Sequence, residues 1–163
     1  MKQLFSKQRP TTVLGLSLDG ARFDGAVVRR TNGSVQVARS FSLTLSQDFA
    51  AADVEVAARE IREQLDKQEI RERPCTVCLP LSWVLAVSSP LPDLPPEDLA
   101  EFLQLEAERA FPYAPEDLSI QEFRFKSRTG ATHVTQLAVS RDNISKLEQV
   151  LRAARLTPVA FSI

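Results

Sequence analysis

The order in which strand-like and helix-like patterns follow one another is the feature of this sequence that most constrains its fold. Three strand patterns come first, followed by an amphipathic helix pattern of 3.6-residue period and a short buried strand. A strand, a helix and two strands come next, and a last helix and strand complete the series. The predicted segments are 13–18, 23–29, 35–43, 51–68, 74–79, 82–89, 95–110, 119–126, 132–140, 142–155 and 158–163.

This order predicts a mixed α/β (α+β) fold. The first and last segments combine into one mixed sheet with two helices, and the middle segments form a β-α-β-β insert. The dipeptide Asn32-Gly33 predicts a tight hairpin turn, because both residues tolerate a positive φ. In the strand after that turn, one face is expected to carry Val35, Val37, Phe41 and Leu43.

The composition argues against several functional classes. Twenty Lys and Arg against 21 Asp and Glu give a formal net charge of −1, which does not favour binding to nucleic acid. The apolar content of 44% is too high for a disordered chain, and no apolar run reaches the roughly 20 residues of a membrane span. Two cysteines do not make a disulfide framework, which fits a reducing compartment. Residues 1–10 lack the apolar core of a signal peptide and are expected to form a flexible or disordered terminus.

Three motifs could carry chemistry, and each also has a purely structural explanation. Cys75 and Cys78 form a CxxC, but strand residues three apart point to opposite faces, so we expect two buried thiols rather than a metal or redox site. His133, the sole histidine, is expected on the surface of an edge strand without a neighbouring nucleophile. Asp19-Gly20 is either a hairpin turn or a turn that presents N–H groups to a phosphate. The sequence therefore assigns no catalytic residue and no metal ligand.

A series of short stretches extends in a fixed order over nearly the whole chain. They are 13–18 with 23–28, 76–80 with 82–84, Leu91-Pro92 with 97–99, 105–109 and 111–113, and finally 137–141 with 153–159. In order and spacing they resemble the actin-like ATPase superfamily, in the branch of the type IV pilus protein PilM and the cell-division protein FtsA. The first pair is similar to the phosphate hairpin of that family, and the second to its strand ending in Leu-Pro.

The resemblance implies a division into two subdomains. Residues 11–80 and 141–163 would form the ribonuclease-H-like subdomain 1A, and residues 81–140 would form the inserted subdomain 1C. In this superfamily ATP lies between two lobes, and we expect the chain to stop at the junction before the second lobe. The resemblance therefore implies no cofactor in this fragment, and ATP with Mg²⁺ only together with a second lobe.

The hairpin departs from the Gly-x-Asp-x-Gly pattern of the family. Ser17 stands where the resemblance places the carboxylate that helps to position metal and water, and Asp19 stands where the following glycine belongs. The first change removes a negative charge near Mg²⁺, and the second adds one where backbone should approach phosphate. Ser17, Asp19 and Gly20 are thus candidate cofactor-binding residues of a degenerate hairpin, and we expect no enzyme activity from this chain.

The resemblance implies a cytoplasmic scaffold, peripheral to the bacterial inner membrane, in the assembly platform of type IV pili or of type II secretion. Its partner would be the short N-terminal tail of a PilN-like, single-span (bitopic) membrane protein, docked as an extended peptide between subdomains 1A and 1C. The chain would reach the membrane only through that partner, and self-association stays open. The alternatives are the N-terminal fragment of an active actin-like ATPase or kinase, and an unrelated α+β adaptor.

The candidate contacts with this tail surround the helix of the insert and its ends. They are Trp83, Glu106, Arg109, Phe111 and Tyr113. For the three aromatic residues, packing in a core and contact with a partner both stay open, because such side chains are common in both settings.

Overall fold

The computed structural model describes residues 12–31 and 33–163, so the predicted flexible terminus, residues 1–10, lies outside the described residues. Within them the strands and helices follow in the predicted order. They are β1 (Thr12–Asp19), β2 (Arg22–Thr31), β3 (Ser34–Thr44), α1 (Val54–Lys67), β4 (Pro74–Cys78), β5 (Leu85–Pro90), α2 (Pro96–Ala110), β6 (Leu118–Lys126), β7 (Thr132–Ser140), α3 (Arg141–Ala153) and β8 (Thr157–Ser162). Short 3-10 turns lie at Leu81–Trp83 and Pro115–Asp117. No helix in this part of the chain is long and apolar enough to cross a membrane.

The described residues form two compact units, one made of 12–31, 33–80 and 148–163, the other of 81–147. The first unit holds a five-stranded sheet in the order β3-β2-β1-β4-β8. Strands β1 to β3 are an antiparallel meander, whereas β4 pairs in parallel with both β1 and β8. The mixed sheet predicted from the sequence is therefore confirmed.

Alternation along β1 separates a buried face of the sheet from an open one. Leu14, Leu16 and Leu18 are buried, while Ser17 and Asp19 point to the open face. The buried face of the sheet packs in an apolar core, to which α1 contributes a stripe of apolar residues at helical spacing. The buried residues of α1 are Ala57, Ala58, Ile61 and Leu65. The Arg62 guanidinium donates to the carbonyl of Ala153, which links α1 to the end of α3.

The prediction that four apolar residues of β3 share one face is wrong. Val27 pairs with Arg39 but Val28 pairs with Val37, so Ala38 is an extra residue, a β-bulge. A bulge shifts the alternation by one residue. Phe41 and Leu43 therefore share the face of the buried Phe23, whereas Val35 and Val37 point the other way and are each 66% exposed.

The two cysteines lie on opposite faces of β4, which makes the prediction of two buried thiols wrong for one of them. Cys75 is fully buried, and burial raises the pKa of its thiol to about 11. Cys78 lies three residues after Cys75 on the same strand, so it points to the opposite, open face of the sheet. It is exposed there, beside Ser17.

Helix α1 begins three residues later than the sequence pattern indicates. Its N-cap is Asp53, although Ser46 and Asp48 earlier in the chain are also residue types that cap helices. The Asp53 carboxylate accepts hydrogen bonds from the N–H groups of Glu55 at 2.9 Å and Val56 at 3.2 Å. Asp48 instead accepts from the N–H of Ala50, within the loop before the helix.

The second unit contains the elements β5, α2, β6 and β7, which we call the insert, and it extends into α3 as far as residue 147. Its three strands form an antiparallel sheet in the order β5-β7-β6. Its core contains buried residues from α2, from the segment after α2 and from two strands, namely Ala107, Phe111, Leu118 and Ala138. His133 lies on the central strand β7, so its predicted place on an edge strand is wrong. Its ring is partly buried and stacks on Phe125, with ring centroids 5.5 Å apart.

Candidate functional site

The β1–β2 hairpin carries Ser17, Asp19 and Gly20. Ser17 pairs with Asp24 on β2 and with Cys78 on β4, so these three side chains are neighbours on the open face. The turn between the strands requires glycine, since Gly20 has a φ of +58°.

The loop that follows β3 anchors this turn. The carbonyl of Gly20 accepts from the N–H of Phe49 at 3.2 Å, and the carbonyl of Ala21 accepts from that of Leu45 at 2.8 Å. A Cβ added at Gly20 would also lie only 3.3 Å from a carboxylate oxygen of Asp48. Gly20 thus has a structural role in the turn, and its role toward a phosphate stays a prediction.

A carboxylate does lie beside Ser17, but on the neighbouring strand, where the sequence reasoning missed it. A hydrogen bond from Ser42 and the Arg22 guanidinium hold the pKa of Asp24 below its usual range. The Arg22 Nε and Asp24 Oδ2 atoms are 2.8 Å apart. The signal that could have found Asp24 is its register across the short turn at Gly20, which sets it opposite Ser17. Its negative charge is balanced by Arg22.

The open face forms a shallow depression of about 650 Å³. Its lining is made mostly of small side chains, among them Gly15, Ser17, Ala26, Ser40, Ser42 and Thr76. Among the residues that the structure describes, no three His, Cys, Asp or Glu side chains lie close enough to hold a metal ion. The depression therefore offers hydroxyl groups and one ion-paired carboxylate.

Four of the five predicted partner contacts lie at the C-terminal end of α2. Glu106 Oε1 and Arg109 Nη1 are 3.8 Å apart, and the arginine side chain is 76% exposed. Phe111 follows the helix, and its N–H donates to the carbonyl of Ala107 at 3.0 Å while its side chain is buried. Tyr113 is 55% exposed. Phe111 thus anchors this segment in the core of the insert, and Arg109 and Tyr113 present accessible side chains.

Trp83 belongs to a different element of the same unit. It lies in the 3-10 turn Leu81–Trp83, closed by a hydrogen bond from the Val84 N–H to the Leu81 carbonyl at 3.1 Å. The predicted strand over 82–89 is therefore wrong at its start, since β5 begins only at Leu85. The Trp83 side chain is partly buried.

No protein-family model and no curated protein matches this sequence. Among solved structures, a chain of the PilM-PilN type IV pilus biogenesis complex matches 94% of this chain with 48% of its own, at a TM-score of 0.73 and 21% identity. A second match is the cytoplasmic domain of EpsL, an inner-membrane component of the type II secretion system of Vibrio cholerae. The match covers 92% of this chain and 56% of that chain, with a TM-score of 0.62 and 18% sequence identity. A third match is a Bacteroides thetaiotaomicron protein with an actin-like ATPase fold and unknown function. It covers 99% of this chain and 55% of that chain, with a TM-score of 0.47 and 12% sequence identity.

The first two matches cover almost all of this chain, which spans about half the length of the chains it matches. The agreement includes both the five-stranded sheet and the three-stranded insert, since more than nine-tenths of the residues align. The chain therefore has the mixed α/β fold seen in a chain of the PilM-PilN complex and in the cytoplasmic domain of EpsL.

Proposed function

We propose that this chain is a cytoplasmic scaffold module in an inner-membrane assembly platform of the type IV pilus or type II secretion kind. The observation that carries the proposal is the match to a chain of the PilM-PilN complex over 94% of the residues. The match to EpsL supports it, because that protein is an inner-membrane component of a secretion system. In this role the chain binds a partner and catalyses no reaction.

The proposed partner is the short N-terminal cytoplasmic tail of a PilN-like, single-span membrane protein. Arg109 and Tyr113 are its foremost contacts, because both are accessible and follow one another along a single segment. Glu106 orients Arg109 through their ion pair, and buried Phe111 holds the segment that carries Tyr113. Trp83 supplies a further aromatic contact. Arginine and aromatic residues are the types that most often dominate binding energy at protein interfaces.

The proposal is tested by calorimetric titration of the chain with a peptide of this tail, taken from the membrane protein encoded beside it. We expect one-to-one binding that Arg109→Ala weakens roughly tenfold and that Tyr113→Ala weakens at least as much. Arg152→Ala is the matched control, because Arg152 lies in the last turn of α3 and pairs with Glu148, as Arg109 pairs with Glu106. Absence of binding, or an equal loss in the control, would overturn the proposal.

A degenerate nucleotide site is part of the proposal, and Ser17 supports it because its neutral hydroxyl lacks the negative charge that a carboxylate would bring to Mg²⁺. One observation favours the second candidate, an active actin-like ATPase or kinase: Asp24 supplies a carboxylate directly across from Ser17. Titration of the protein at its full encoded length with Mg-ATP separates the two. Micromolar affinity with turnover would establish the second candidate, and absence of binding would support the scaffold.

A further inference from the structure

The second unit contains a groove that the proposed tail site does not use. Two adjoining depressions of about 410 and 400 Å³ run between α2 and the edge strand β6 and share Ala100, Leu103 and Glu122. We call this surface the α2–β6 groove. The helix side is mostly apolar, with Gln104 as a polar residue of its lining, and Ile120 continues the apolar lining on the strand.

Gln136 gives this groove a polar feature that packing alone does not explain. Its side chain is 3% exposed and lines the groove from the central strand. Its Nε2 donates to the carbonyl of Leu103 at 3.0 Å, and since a carbonyl only accepts, this bond fixes the orientation of the amide. The buried Oε1 then has no hydrogen-bond partner among the described residues. A buried acceptor without a donor is destabilising, so a ligand that supplies a donor is favoured.

The strand that borders the groove is an edge of its sheet. Strand β6 pairs with β7, and no other strand of residues 12–31 and 33–163 pairs with it. Alternate N–H and carbonyl groups of β6 therefore point outward, which is the arrangement that accepts an added strand. On the face away from the groove, β6 exposes Phe123 and Phe125, at 56% and 48%.

The surroundings of the groove are acidic. Between positions 81 and 147 the sequence has ten Asp and Glu against six Lys and Arg. Two acidic side chains, Glu116 and Glu122, line the groove, and its one lining cation, Arg124, is paired with Glu122 at 3.6 Å. This charge balance favours a partner with positive charges beside its apolar anchor.

We propose that the α2–β6 groove binds an extended peptide that adds a strand to β6 and inserts one tryptophan or tyrosine side chain, flanked by Lys or Arg. Such a side chain combines an apolar body with a single donor, which matches apolar walls around one buried acceptor. Gln136 Oε1 is covered in the unbound chain, so insertion of the ring must uncover it before the N–H or O–H of the ring donates to it. Added strands gain affinity from backbone hydrogen bonds and specificity from pockets for alternate side chains. This site is independent of the tail-binding proposal.

The probe is the acetylated, amidated peptide KTVTWTVTK, titrated into ¹⁵N-labelled chain and followed by NMR. We expect shifts in the β6 backbone amides and in the side-chain amide of Gln136. The peptide with Phe in place of Trp fills the same space without a donor and is expected to bind roughly fivefold to tenfold more weakly. With Gln136→Leu, the two peptides are expected to bind equally. The Trp peptide with Glu in place of both Lys residues is expected to bind more weakly than the original Trp peptide and than the Phe peptide.

Two variants of α2 supply a test that does not depend on Gln136. Ala100 is exposed and lines the groove, so Ala100→Phe fills the groove and is expected to abolish peptide binding. Ala110→Phe adds the same ring to the same helix outside the groove lining and is expected to leave peptide binding unchanged. Absence of shifts at millimolar peptide, equal binding by Ala100→Phe, or equal affinity of the Trp and Phe peptides would overturn the proposal. So would a dimer of the chain that Ala100→Phe dissociates, because a second copy would then occupy the groove.

Discussion

The ring of Phe41 lies over Gly25 on the neighbouring strand, in the space that a Cβ at Gly25 would occupy. Phe41 also packs near Phe23, with ring centroids 6.3 Å apart. We expect Gly25→Ala to lower the free energy of unfolding by about 1–3 kcal/mol, because the ring must leave its position. Urea unfolding measures the loss.

Gly15→Ala is the control on the adjacent strand. There a Cβ would meet its nearest neighbour, the carbonyl oxygen of Ala26, at an ordinary 3.7 Å, so we expect a change within about 0.5 kcal/mol. If a second substitution, Phe41→Leu, restores part of the unfolding free energy that Gly25→Ala loses, the clash with the Phe41 ring is confirmed as the cause of the loss. Equal effects of the two glycine substitutions would contradict this explanation.

The two thiols are expected to differ in reactivity, because Cys75 is buried and its pKa is raised to about 11 while Cys78 is exposed. Iodoacetamide at pH 8 should modify Cys78 alone in the folded chain and both thiols after unfolding in urea. Peptide mass spectrometry locates the label. Equal labelling of Cys75 in the folded chain would show that β4 does not bury it.

Glu60 connects α1 to the loop after β3, since its carboxylate accepts from the N–H of Ser46 at 2.8 Å and from the Ser46 hydroxyl. Both hydrogen bonds lower the pKa of Glu60, and the one from the hydroxyl has the larger effect. Its contribution to stability is therefore fully present above the unfolded-state pKa of about 4.3 and is lost as pH falls through the lower folded-state value. A double-mutant cycle of Glu60→Gln and Ser46→Ala should give a coupling energy at neutral pH that decreases as acid protonates the carboxylate. A coupling that does not change with pH would be inconsistent with this linkage.

At the scale of elements, most of the fold could be predicted because hydrophobic periodicity and turn residues act locally. The Asn32-Gly33 signal placed the β2–β3 hairpin, and the predicted segment 95–110 agrees with α2 to within one residue at its start. The bulge at Ala38 could not be predicted, since no local pattern distinguishes an extra strand residue from a paired one. The central place of His133 was missed because strand order depends on contacts distant in sequence.

The candidate sites were predictable only where their residues are close in sequence. Glu106, Arg109, Phe111 and Tyr113 form one segment, and the structure keeps them together. Asp24 and Gln136 were missed because each gains its significance from a residue on another element. For Gln136 that residue is Leu103, on the helix that precedes its strand by two elements.

The bulge makes a prediction about deletions in β3. Removing Ala38 leaves every other residue of the strand with its present partner and face, so we expect a change in unfolding free energy within about 1 kcal/mol. Removing Ser42 instead moves Phe41 to the open face and should cost about 2 kcal/mol or more, because the half-buried ring leaves its place beside Phe23. Thermal unfolding of the two deletion variants measures the difference. Equal destabilisation would show that the extra residue is required.

At the scale of the whole molecule, one unit holds the five-stranded sheet and the other holds a helix whose end presents Arg109 and Tyr113. We proposed that Ser17 makes the β1–β2 hairpin a degenerate nucleotide site, whereas the second unit has exposed side chains of the types common at interfaces. The proposed scaffold function follows from this contrast together with the match to the PilM-PilN complex. Its central claim is that the insert binds the tail of a membrane protein.

Hydrogen–deuterium exchange of the chain, with and without the tail peptide of the neighbouring membrane protein, tests this claim most directly. We expect the peptide to slow exchange in residues 81–84 and 106–113, where the five proposed contacts lie, and to leave the β6 edge unchanged. Slowed exchange in neither segment at a peptide concentration that saturates binding would contradict the account.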